Sequence, residues 1–223
     1  MSLSLSSAMF SQFIGFSAGV LLLTSILLVW RRSLVPAARL LAVQGAAVAA
    51  LAGFLGWYEQ EPELLVIAVM VFALKVGVIP WVLVRATRAN PSDRDDVPMI
   101  NTPAALIWTA VVTVAAYIVA QPVAELAPGP GASAVPVGFA LVLIGFLLLM
   151  IRRHAISQLI GFLVLDNGIA AIAFLTVGGV PFVVEVGASL DVLFVVLILY
   201  VVTNRMTVQF GVIDLDDLQE LHD

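Results

Sequence analysis

Seven apolar runs divide this sequence, at residues 8–30, 36–57, 62–84, 103–120, 135–151, 157–177 and 182–204. Each is long enough for a helix to cross a hydrocarbon core about 30 Å thick, which takes roughly 17–25 residues. Repeated runs of this length leave few folds open. In lipid, every backbone N–H and C=O must be paired within its own segment, and helices do this. The expected fold is all-α, a polytopic transmembrane bundle of seven spans. Composition agrees, with 62% of residues hydrophobic and 11% charged, against about 45–50% apolar in soluble domains. Pro36, Pro62 and Pro103 stand near expected span starts, where a missing N–H is tolerated.

The arginines set an expected orientation. All nine stand between spans one and two, three and four, or five and six, just inside span two, or after span seven: Arg31, Arg32, Arg39, Arg85, Arg88, Arg94, Arg152, Arg153 and Arg205. The other connections have none. Basic loops stay cytoplasmic, so the N-terminus is expected outside and the C-terminus inside. Only an odd number of spans keeps that alternation. The first run is too long for a secretory h-region and precedes Arg31–Arg32, so it reads as a signal anchor. Residues 1–205 form one expected membrane domain, with seams at 85–102 and 121–134, and 206–223 form an acidic cytoplasmic tail. There Ile213, Leu215, Leu218 and Leu221 alternate with acids, which suits either a helix docked on a partner or a solubilising tail.

The chain has no cysteine and two separated histidines, His154 and His222. Thiolate-held clusters are excluded, and no histidine pair suggests haem or zinc. Any electron transfer belongs to partners.

The tenth basic residue, Lys75, lies inside the third run. It stands 12 residues past Glu63, about 18 Å along a helix rising 1.5 Å per residue. By the same measure Asp166 and Asp191 each lie roughly 14 Å inside their spans, and Gln44 is at comparable depth. A charge at mid-bilayer costs about 2.5–3.5 kcal/mol on insertion scales, so such groups face protein or water. Two readings fit these residues: a structural ion pair, and a proton or ion path. Both hold if the pair exchanges partners. Asn167, beside Asp166, is placed to hydrogen-bond across helices. Glu185 is either an outer mouth of the path or a solvated helix end, and His154 is either interfacial or a proton carrier. Pro80 is expected to kink span three and free the carbonyl of Val76, next to Lys75.

Several stretches together resemble hydrogenase-4 component E, a membrane subunit of formate hydrogenlyase-like complexes. They are Lys75 with Pro80, Val119-Ala120-Gln121-Pro122, Leu159-Ile160-Gly161-Phe162 with Asp166-Asn167-Gly168, and Val184-Glu185-Val186-Gly187 with Leu190-Asp191. The tail Gly211-Val212-Ile213-Asp214-Leu215-Asp216-Asp217-Leu218 adds to them. Spans 135–205 are also similar to the small three-helix membrane protein of respiratory complex I, its K component, and to the C component of multisubunit cation/proton antiporters. Aligned on Arg152–Arg153, that family's second-helix glutamate falls on Leu163, one turn before Asp166, and its third-helix glutamate falls on Asp191.

The resemblance implies a non-catalytic subunit of an oxidoreductase complex in a bacterial or archaeal cell membrane. Its partners would be antiporter-like subunits, a complex I-like anchor subunit and soluble subunits. Those soluble subunits would hold the nickel–iron centre and Fe–S clusters, with no cofactor in this chain. Lys75, Asp166, Asp191, Glu185, Gln44, Asn167 and His154 would serve proton or ion translocation. The alternative is membership of an antiporter-like complex without hydrogenase activity. A retinal protein is disfavoured because span seven has no lysine, and a solute transporter because the spans offer few polar groups.

Overall fold

The structure, a computed structural model, describes residues 7–88, 99–126, 131–153 and 155–177. Every regular element among them is helical. They are α1 (Ser7–Trp30), α2 (Leu34–Glu59), α3 (Pro62–Phe72), a π-helical segment (Ala73–Val78), α4 (Ile79–Arg88), α5 (Thr102–Leu126), a 3-10 turn (Ala132–Ala134), α6 (Val135–Ile151) and α7 (Ala155–Val177). α3, the π segment and α4 run on as one span, so six helices among the described residues are long and apolar enough to cross a membrane. They coincide with the first six expected spans. The seventh, 182–204, with Glu185 and Asp191, lies outside the described residues, as do His154 and the tail.

Several expected boundaries move by a few residues, two of them at prolines. α2 begins at Leu34 rather than Pro36; the proline takes the third position, where an N–H has no intrahelical partner anyway. α5 continues past residue 120 to Leu126, with Pro122 inside it, so the expected seam at 121–134 is shorter. The helix survives this proline at its periphery, where Ile118 is exposed and Gln121 reaches Glu125 one turn on. Pro62 opens α3 as expected.

α2 is central and touches α1, α3, the π segment, α4 and α7. α6 and α7 meet along glycines. A Cβ on Gly145 would sit 2.6 Å from the Leu165 nitrogen, and one on Gly168 2.7 Å from the Val142 nitrogen. In lipid, apolar burial does not drive helices together, and such close backbone contact is how they gain van der Waals energy. The seam fixes α7, and with it Asp166 and Asn167.

The apolar interior is two clusters, not one. Leu21, Val48, Val71, Leu141 and Ala170 belong to the first; Leu28, Leu41, Ile79, Ile144 and Leu163 to the second. On α1, α2, the third span and α7, the chain passes from one cluster to the other through a polar position.

Among the described residues, the arginine-bearing connections gather at one end. The Arg32 Nη2 donates to Thr102 Oγ1 at 2.9 Å. Buried Arg152 donates through Nη2 to the carbonyls of Leu28 and Arg31, at 3.1 and 2.6 Å, capping the C-terminal end of α1. Because the native chain lacks cysteine, single cysteines report sidedness directly. Ser33→Cys and Arg153→Cys are expected to react with an impermeant maleimide from one and the same side, and Glu61→Cys from the other. Labelling of all three from one side would contradict the arrangement.

Candidate functional site

Lys75 owes its position to the π segment. The Ile79 N–H donates to the Leu74 carbonyl, five residues back. One further step in that register puts Pro80, which has no N–H, opposite the carbonyl of Lys75, and the π segment ends there. The disturbance therefore spans the turn before the proline, and the carbonyl opposite Pro80 in this register is Lys75's, not that of Val76. The wide turn also sets the facing of side chains. In an α-helix each step of four residues drifts about 40° around the axis. A π turn takes up that drift, so Val71, Lys75 and Ile79 are all buried.

Helix α2 meets this turn at a glycine. A Cβ on Gly45 would lie 2.6 Å from the Lys75 Cβ and 2.9 Å from the Lys75 carbonyl oxygen. Only a residue without a side chain lets the two backbones come so near.

Lys75 is 6% exposed, and its ammonium donates to Asp166 Oδ2 at 2.6 Å and to Asn167 Oδ1 at 2.7 Å. The Asn167 Nδ2 donates to Gln44 Oε1 at 2.9 Å. The Gln44 Nε2 donates to Ser25 Oγ at 2.7 Å and lies 3.4 Å from the Leu21 carbonyl. The Ser25 hydroxyl donates to that same carbonyl at 2.8 Å. One connected polar chain thus joins α7, the third span, α2 and α1 between the two apolar clusters. A cavity of ≈ 10 Å³, about the size needed for one water, adjoins the ion pair and is lined by Leu41, Lys75, Ile79, Leu163, Asp166 and Asn167.

A buried ion pair is not by itself stabilising, since desolvation offsets its attraction unless the remaining donors and acceptors are satisfied. Here Asn167 takes a second ammonium hydrogen, and its own amide is held in turn by Gln44. Ammonium and carboxylate in direct contact can exchange one proton between them.

Of the residues the sequence singled out, Lys75, Asp166, Asn167 and Gln44 come together. Asp191, Glu185 and His154 lie outside the described residues. Ser25 and Gly45 went unnoticed. A serine within an apolar helix carries little signal because its hydroxyl can bond back to its own backbone, as Ser25 does. Among the described residues no group of three or more His, Cys, Asp or Glu could hold a metal, and the chain has no cysteine.

No family model matches the chain, and no solved structure matches it. It is 23% identical over 212 residues to hydrogenase-4 component E of Escherichia coli K12, covering 95% of this chain and 98% of that protein. The Shigella flexneri protein of the same name matches equally. The uncharacterized protein Rv0085 of Mycobacterium tuberculosis is 48% identical over 220 residues, covering 98% of this chain and all of that protein. At that identity over the full length, this chain belongs to the same family as Rv0085.

Proposed function

We propose that this chain is a non-catalytic membrane subunit of a hydrogenase complex of the formate hydrogenlyase type, and that it contributes intramembrane ionisable groups to ion movement coupled to redox chemistry in partner subunits. The observation that carries the reading is the Lys75–Asp166 pair, set between two apolar clusters and tied into a polar chain across four spans. Charges at that depth are costly and mark ion pathways. The likeness to hydrogenase-4 component E over nearly the whole chain supports the kind of complex. Asp191, Glu185 and His154 extend the path, the N-terminus faces outward, and the chain is multi-pass in a bacterial or archaeal cell membrane. The nickel–iron centre and Fe–S clusters belong to soluble partners, and antiporter-like and anchor subunits complete the membrane arm.

The test is isolation of the tagged chain from its native membrane in mild detergent. Nickel, iron and hydrogen-dependent dye reduction are expected to co-elute with it, and to separate from it once the complex is dissociated. Co-elution with antiporter-like subunits alone, without nickel or iron, would overturn the hydrogenase assignment.

A further inference from the structure

We infer that the Asn167–Gln44–Ser25 arm is a brace that positions Lys75 and carries no proton, and that the Lys75–Asp166 pair exchanges its proton with one water seated against Leu41, Ile79 and Leu163. This deepens the function proposed above and rests on it.

The direction of the hydrogen bonds is the first argument. Every donor in the arm points away from Lys75: ammonium to Asn167, Asn167 to Gln44, Gln44 to Ser25, and Ser25 to the Leu21 carbonyl. A conducting chain needs groups that accept on one side and donate on the other from a single readily exchanged site, as water and hydroxyls do. A carboxamide accepts at oxygen and donates from nitrogen. Passing a proton through it requires the imidic acid form and then a turnover of the group. Two amides stand in series here, each held at both ends. The arm then stops at a backbone carbonyl, which accepts and has no proton to pass on.

The surroundings make the second argument. Ser25 and Gln44 are both 0% exposed, and the apolar clusters close over them from both ends. The side chain of Asp166 is 18% exposed. The ≈ 10 Å³ cavity touches Lys75, Asp166 and Asn167, so a water there has the two to four polar partners it needs. An ammonium has three donors; among the described residues two are engaged, by Asp166 and Asn167, and the water takes the third. The other charged side chains described stand near helix ends or in the connections.

The step balances within three groups. The ammonium passes one Nζ–H to Asp166 Oδ2, giving amine and carboxylic acid. The acid passes that proton to the water, leaving amine, carboxylate and a hydronium, which releases a proton to a further acceptor on the exposed side of Asp166. The reverse sequence reloads the pair, and the brace keeps Nζ on the Oδ2 side throughout.

The experiment uses the complete complex in inverted membrane vesicles, reading ions moved per redox turnover and the pH profile of that ratio. Ser25→Ala is expected to keep the ratio within about threefold, the scale of an average interhelical hydrogen bond, with an unchanged pH profile. Its loss leaves the Leu21 carbonyl with Thr24 Oγ1 at 3.0 Å and Gln44 Nε2 at 3.4 Å, and Gln44 keeps an acceptor there. Gln44→Leu removes the brace itself and is expected to move the pH profile. Leu163→Phe fills the water seat and is expected to lower the ratio about 100-fold, the scale of one lost proton-transfer group. Leu41→Phe, on another wall, repeats that test if Leu163→Phe fails to assemble. Loss of coupling in an assembled Ser25→Ala complex whose pH profile is unchanged would make the arm a wire and overturn the brace. Wild-type coupling with the seat filled would overturn the water site. Wild-type coupling in Asp166→Asn would instead defeat the proposed function, a result separate from either.

Discussion

Lys75→Met is expected to abolish ion coupling while the complex still assembles. The substitution keeps most of the side chain's length, ending one atom short of Nζ, and removes its charge. It strips Asp166 and Asn167 of their shared donor. Removing one partner of a buried pair costs about 3–5 kcal/mol, because the other charge is left uncompensated. The loss here falls toward the low end, since the Asp166 side chain is 18% exposed rather than fully buried. Lys75→Met/Asp166→Leu separates stability from function. Replacing both partners by apolar groups of similar size is often neutral or stabilising, so the double variant is expected to recover the thermal midpoint of the wild type and remain uncoupled. If Lys75→Met moves ions at the wild-type ratio, the pair is a structural feature only.

Depth was legible in the sequence and partnership was not. A lysine, an aspartate and a glutamine within apolar runs stand out because each is costly there, and helix rise alone placed them in one layer. Asp166 and Asp191 had the same claim on Lys75 by depth. Pairing Asp166 with Lys75 takes the packing of both α7 and the π segment on α2, which no span-by-span reading contains; Asp191 lies outside the described residues. The π turn was hidden for a related reason. The third span is apolar on every side, with Val66, Val69 and Phe72 exposed as well as Ile67 and Val71 buried, so periodicity cannot phase it. Pro80 announced a disturbance but not its register. Helix starts were better marked than helix ends: Pro62 opened α3 as expected, whereas Pro122 was passed over by α5.

Gly45→Ala is expected to damage the site almost as much as loss of Lys75, and Gly53→Ala, on the same helix, is expected to do no harm. In an isolated helix both changes are favourable by roughly 0.5–1 kcal/mol, because glycine loses more freedom on folding than alanine. Packing separates them. A Cβ at Gly53 would stand 3.6 Å from the Ala68 Cβ, an ordinary contact. A Cβ at Gly45 would stand 2.6 Å from the Lys75 Cβ and 2.9 Å from its carbonyl oxygen. None of these atoms can swing aside by a change of rotamer, so the third span must back away from α2. A shift of about 1 Å at a reacting group can cost around 100-fold in rate, and this one would separate Lys75 from Asn167 and Asp166, which are held on α7. Gly45→Ala should therefore lose coupling by a factor of that order and melt at lower temperature in detergent. Gly53→Ala should couple like the wild type and melt at the same temperature or higher. Equal behaviour of the two variants would mean that α2 does not hold Lys75 in place.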